Sequence, residues 1–360
     1  MPSIRIGLCA TIPFLFFLPA GAQQSAAATL ITEQHYRRAE ALVRSALERQ
    51  PQDVEALVAL STIQWAYEDL DAAENTAGKA VAAADASAAA HAQLVNILGA
   101  KLANKKTGTM EKMNLSRRFR KEAERTLQLD PKNVYAHEAL ARYFWYAPSL
   151  AGGDKTKAMQ LVSQVIQFDA TRGYALKAEL DATQNSAKVV EDWREAVAAQ
   201  PGSYLAHTGL GGCLFHSDGE GWKAAEEEGR KALAIDPSRV AAYRLLATIY
   251  AETQQWQKLD ATIQQARSSV SDDPGAEFAA AQVIVDRNLQ GQLARAEEYL
   301  RDYLRVPAEG LEPSAAIAHW QLGLVLEKEG RRSTALQEVQ TAANLDPSLD
   351  GARHDAKRLQ

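Results

Sequence analysis

Cysteine is almost missing: the 360 residues hold two, Cys9 and Cys213. A disulfide framework is therefore excluded as the main source of stability. Excess positive charge is also missing. There are 40 Lys and Arg against 45 Asp and Glu, a net charge of −5, so no overall basic surface invites nucleic acid. Beyond the first two dozen residues no apolar run is long enough to span a bilayer. Neither HExxH, GxSxG, GxxxxGK nor CxxC occurs. The chain is expected to be non-enzymatic, and no catalytic, cofactor or metal residue is assigned. What remains is a chain with 46% apolar residues, ample for a large packed core.

The start MPSIRIGLCATIPFLFFLPAGAQQ carries one cation, Arg5, an apolar run from Ile6 to Leu18, and Ala20-Gly21-Ala22. A charged start, a short apolar stretch and a small-x-small site form the pattern of a secretory signal peptide, with cleavage expected after Ala22. Leu8 precedes Cys9 and the apolar run follows it, the reverse of a lipoprotein box. After cleavage only Cys213 remains, so no intrachain disulfide can form. The expected location is periplasmic or secreted, with no transmembrane helix in the mature chain.

Near the other end, HWQLGLVLEKEGRRSTALQEVQTAANLDP shows helical periodicity twice. Leu322, Val325 and Leu326 precede Gly330; Leu336, Val339 and Ala343 follow it. Gly330 breaks the run and Asp346-Pro347 ends it, so the unit is a helical hairpin. Small residues at 323, 335 and 342 let backbones approach, and larger ones would overpack the contact.

This unit resembles the tetratricopeptide repeat, a 34-residue helix–turn–helix. With Pro347 as repeat position 32, Leu322, Gly323, Ala335, Val339 and Ala342 fall on the signature positions 7, 8, 20, 24 and 27. The frame extends along the chain. Ala39, Val43, Ala46 and Pro51 match a second half, and Leu57, Leu60, Ala73 and Ala80 match a full unit. Later anchors include Leu129-Asp130-Pro131, Leu140 with Ala158, Leu176 with Ala196, and Gly211, Ala225 and Asp236-Pro237. Leu246, Ala247, Tyr250 and Ala266 mark another, and Gly291, Ala296 and Leu300 a weak one. The resemblance implies an all-α, right-handed superhelical solenoid of about eight hairpins. The expected layout is a signal peptide at 1–22, a short flexible tail at 23–32, the array at 33–349 and a polar capping helix at 350–360.

His91, His137, His207 and His319 share repeat position 4, each on a different hairpin, so they do not converge as metal ligands must; they are packing residues. The GLGGC stretch ending at Cys213 belongs inside a helix, with Gly211 at the close-packing position and Cys213 as an inert interior thiol. Between Lys101 and Lys121 one unit is twelve residues too long, and eight cations face Glu111 alone. This local positive patch is either a solvated face or a surface for an acidic partner or anionic lipid head groups. A second insertion, APSLAGGDKTKAM, places Asp154 as a helix N-cap. Its proline, GGD and KA resemble a segment, about residues 147–175, in the T component of tripartite ATP-independent periplasmic transporters.

In tetratricopeptide arrays the first helix of each hairpin lines a concave face. The frame places Trp65, Tyr135, Arg142, Trp145, Tyr146, Phe215, Arg244 and Trp320 there. Aromatics and arginines on an exposed surface are usual recognition anchors. The expected function is a periplasmic scaffold or adaptor binding a protein or peptide segment. The alternative is a transport accessory relaying a small ligand, as the T-component likeness implies. The partner's identity and the oligomeric state are not encoded in any pattern found.

Overall fold

The computed structural model describes residues 26–104, 107–183, 186–217, 221–307, 309–310 and 313–360. The expected signal peptide, 1–22, lies outside them. Every long element described is an α-helix. The first ten are α1 (Ala26–Thr32), α2 (Tyr36–Arg49), α3 (Val54–Ala66), α4 (Leu70–Ala83), α5 (Ala88–Ala103), α6 (Thr109–Leu129), α7 (Val134–Tyr146), α8 (Lys155–Phe168), α9 (Ala170–Ala182) and α10 (Ser186–Ala199). They are followed by α11 (Tyr204–Ser217), α12 (Trp222–Ile235), α13 (Val240–Glu252), α14 (Trp256–Ser269), α15 (Gly275–Asp286), α16 (Leu293–Arg305), α17 (Ala315–Lys328), α18 (Arg332–Leu345) and α19 (Asp350–Leu359). Odd and even helices up to α18 pair as hairpins, and α19 closes the series. None of the described helices is long and apolar enough to cross a membrane.

Two compact units divide the chain, one ending at Gly209 and the other beginning at Leu210. In the first, apolar clusters link consecutive hairpins: Ala77, Leu94, Leu98, Leu115 and Phe119 make one, Ala141, Trp145, Ala158, Val162, Leu176 and Leu180 another. In the second, one continuous cluster runs from Ala225 to Leu359.

The expected small-residue contacts are present. Ala39, Ala73, Ala225 and Ala335 at position 20 have no exposed surface, nor do Ala80, Ala232 and Ala342 at position 27. A Cβ on Gly323 would meet Val339 Cγ2 at 2.4 Å and the Ala335 carbonyl oxygen at 3.2 Å, so positions 8, 20 and 24 form one tight contact. The corners repeat too. In each Asp-Pro the aspartate accepts from the amide two residues on: Asp130 from Lys132 (3.1 Å), Asp236 from Ser238 (3.0 Å) and Asp346 from Ser348 (2.8 Å). Asp53, Ser87, Asn133, Asp154, Asp169 and Ser314 then cap the helices that follow, accepting from an amide three residues on.

Inside the hairpins, position 15 adopts a left-handed conformation five times: Gln34, Glu68, Gln254, Asn288 and Gly330, with φ of 70°, 56°, 54°, 53° and 78°. Each is followed by the same pair of closing bonds, as in Glu68 N–H to the Trp65 carbonyl (2.8 Å) and Asp69 N–H to the Gln64 carbonyl (3.0 Å). That is the Schellman end, which favours glycine. Only Gly330 supplies one.

One expectation about a segment changes. Residues 26–32, placed in a flexible tail, form α1. Ala27, Ala28 and Ile31 are buried, and Ala27 and Ile31 pack with Tyr36, Ala39 and Val43, so the half-repeat at α2 has its first helix after all. Alanine's helix propensity favours the element although it carries no repeat signature. The basic insertion falls largely within helix, giving α6 its 21 residues. In the second insertion, a 3-10 turn at Ser149–Ala151 leads to Gly152 at φ 90°. A Cβ on Gly153 would sit 1.8 Å from the Ala147 carbonyl oxygen, so only glycine fits.

Candidate functional site

α7 begins at the Asn133 cap and presents Tyr135, Glu138, Arg142 and Tyr146 at spacings of three and four, one side of the helix. α9 of the next hairpin lies beside it and supplies Arg172 and Glu179. Arg172 donates to Glu138 through Nε (2.9 Å) and Nη2 (2.7 Å), while its guanidinium covers the Tyr135 ring at 4.5 Å. Arg142 donates to Glu179 through Nε (3.0 Å) and Nη2 (2.8 Å), and reaches Glu138 at 3.5 Å. Burial pulls both guanidinium pKa values down, but the facing carboxylates outweigh it and hold both above the ordinary value. Tyr146 stands at the end of this ladder, 55% exposed. Partial burial, then the charge of Glu179, raises its hydroxyl pKa.

The eight residues expected at the groove divide between the units, five in the first and three in the second. Tyr135, Arg142 and Tyr146 come together as described. Trp145 does not join them. It is 8% exposed, packs with Ala141, Val162 and Leu180, and donates from Nε1 to Thr183 Oγ1 at 3.1 Å. Being four residues after the fully buried Ala141, its indole follows that side chain into the core. This corrects its assignment as an exposed anchor. Trp65 is half-buried on α3. In the second unit Phe215 packs against the core, and Arg244 is half-buried with its stem beside Gly275. Trp320 is also corrected: its indole lies under α19, donating to Asp355 Oδ2 at 2.9 Å.

The histidines are tied into the packing. His91 contacts Glu122 (2.6 Å) and the Asp85 carbonyl (3.0 Å), His137 the Asn133 carbonyl, His207 the Pro201 carbonyl and His319 Glu338. Among the described residues no His, Cys, Asp and Glu cluster could hold a metal. Cys213 is half-buried, less enclosed than expected. Of the basic run, Lys101 is paired with Asp71 and Glu74, and Arg118 with Glu74. These pairs border a surface cleft of about 440 Å³ lined by Asn75, Gly78, Lys79 and Leu94. Lys105 and Lys106 lie outside the described residues.

A family model described as tetratricopeptide repeat matches residues 26–89 and 290–350. The crystal structure of yeast Tom70 superposes at a TM-score of 0.51 with 14% identity, over 92% of this chain and 79% of that one. Two stretches of the chain, one near each end, are thus similar to tetratricopeptide repeats, and the fold is similar to that of Tom70. YrrB, titled a TPR protein with an unusual peptide-binding site, aligns at a TM-score of 0.35 and 19% identity, over 54% of this chain and 97% of YrrB. A pentatricopeptide repeat-containing chloroplast protein of Arabidopsis thaliana, CRR2, is 36% identical over 74 residues. That match takes in 21% of this chain and spans only 10% of that protein's length.

The ladder is drawn from the equivalent first helices, α7 and α9, of neighbouring hairpins. The sequence reading missed Arg172 and Glu179, the partners that fix Arg142. Repeat spacing could have found them: Glu138–Arg172 and Arg142–Glu179 are 34 and 37 residues apart, one repeat and one repeat plus a turn.

Proposed function

We propose that this protein is a non-enzymatic scaffold that holds a peptide or protein segment against the first-helix side of its hairpins. The observation that carries the reading is Tyr146: an aromatic ring more than half exposed, beside an arginine already locked by Glu179. A preset guanidinium and a ring with few rotamers lose little freedom on binding, which is how anchors yield affinity. The Arg142–Glu179 pair lies beside the ring, with side chains 22% and 25% exposed. Arg244 on α13 offers the second unit a cation with no ion-pair partner among the described residues. The transport-accessory reading wants an enclosed cavity for a small ligand, and no observation favours it.

Peptide-display panning on the whole chain, followed by titration of the selected peptide, tests the proposal. Tyr146→Ala should weaken binding by at least about 1 kcal/mol with an unchanged melt. Undiminished binding counts against this face. Export is part of the same reading, supported by the pattern of residues 1–22. N-terminal sequencing of envelope material should begin at Gln23, and a product retaining Met1 would defeat it.

A further inference from the structure

The lengthened helix α6 carries a surface that neither the packing nor the proposed face uses. Met110, Met113, Arg117, Arg120 and Lys121 advance by three, four, three and one residues. At 3.6 residues per turn they fall within an arc of about 100° along roughly 16 Å of helix. The opposite side carries the buried Leu115, Phe119, Ala123 and Thr126, so the stripe faces outward. Met110 is 79% exposed and Met113 59%. Arg117, Arg120 and Lys121 are exposed and have no ion pair among the described residues; Glu124, one turn further on, is the acid on this side.

A third apolar side chain joins them. Tyr143 stacks on Phe119 with centroids 5.4 Å apart and donates to the Ala151 carbonyl at 2.6 Å, which pins the Ser149–Ala151 turn beside α6. Leu150 on that turn is fully exposed. Arg120 Nη1 reaches to 4.0 Å from the Cβ position of Gly152 in the same corner. Three protruding apolar side chains thus surround or flank three unpaired cations.

We propose that this stripe docks the protein on an anionic lipid surface. Met110, Met113 and Leu150 enter the headgroup layer, and Arg117, Arg120 and Lys121 meet lipid phosphates. Apolar side chains that stand out this far suit a soft planar layer, into which they sink, better than a folded partner, which would have to offer three matching holes. The cations suit a negative leaflet, where each contributes several-fold to the partition coefficient. Docking of this kind is peripheral and needs no spanning helix.

The test is co-sedimentation of the whole chain with vesicles of phosphatidylcholine alone and with phosphatidylglycerol added. Binding is expected only to the anionic vesicles, weakening as salt rises. Arg117→Glu, Arg120→Glu and Lys121→Glu together should lower it at least about thirtyfold. Met110→Ser with Met113→Ser should lower it several-fold. A matched reversal of the exposed Lys132, Lys188 and Lys223 should leave most of the binding, and all variants should share the wild-type melt. Equal binding to both vesicle types, or binding that survives the α6 reversal, overturns the proposal. So does failure to bind anionic vesicles, including the case where acidic polyglutamate binds the stripe instead.

Discussion

Trp320 Nε1 donates to Asp355 Oδ2 at 2.9 Å, joining the first helix of the last hairpin to the closing helix α19. The indole lies so close to α19 that a Cβ on Gly351 would be 2.3 Å from its ring. Arg358 adds a bidentate pair to Glu327, again on α17. The last hairpin therefore keeps its Trp320 indole half-buried under α19. Its apolar side is covered by a helix whose exposed side chains include Arg353, Lys357 and Arg358.

Gly351→Val should loosen that closure. The added side chain must displace the indole or α19, at roughly 1–3 kcal/mol. Amide exchange across Asp350–Leu359 should quicken in the variant. Gly291→Ala, where a Cβ meets nothing within 4 Å, should stay within about 0.5 kcal/mol of wild type.

The hairpin turns offer a stabilising change. Gln254 sits at φ 54° where the equivalent residue in the last hairpin is Gly330 at φ 78°. A side chain in this region costs about 1 kcal/mol. Gln254→Gly should raise stability by that order in chemical denaturation, and Gly330→Ala should lower it by a similar amount. If the two move stability in the same direction, the turn assignment is wrong.

Trp145→Ala should destabilise by roughly 3–5 kcal/mol, because a buried indole and its bond to Thr183 are lost together. A melt near wild type would return Trp145 to the surface.

Acid should release the closing helix. The Arg358 hydrogen bonds hold the Glu327 carboxyl below its ordinary value of 4.5, against opposing burial. A lowered folded pKa gives stability that is fully present above the unfolded value and lost as pH falls through the folded one. The melting-temperature gap between wild type and Glu327→Gln should therefore be widest near neutral pH and shrink below about pH 4.5. A gap that grows on acidification contradicts the assignment.

Much of the architecture was legible in the sequence because its cause is local and recurs. Gly323, Ala335 and Val339 meet at one close approach, and Asp-Pro makes one kind of corner, so both recur at fixed spacing. α1 was hidden because AAATLIT has helix propensity and burial but no residue that a close approach demands. The recognition face was only partly legible. Periodicity puts Trp145 and Tyr146 side by side, yet one is buried and the other more than half exposed, because the step of about 100° between consecutive residues around a helix decides between core and solvent. Trp320 looked available because α19, which covers it, lies outside the repeat. Arg142 was found, but its partner Glu179 comes from the next hairpin, and only the stacked helices show that the pair meets.

The affinity of a panned peptide for wild type and for Tyr146→Ala tests the central claim most directly, with the exposed Gln337→Ala as a control on another hairpin. Scaffold binding on the α7–α9 face predicts at least about fivefold weaker binding for Tyr146→Ala, with helix content and melting temperature unchanged and the control indistinguishable from wild type. Equal affinity in all three proteins would contradict it.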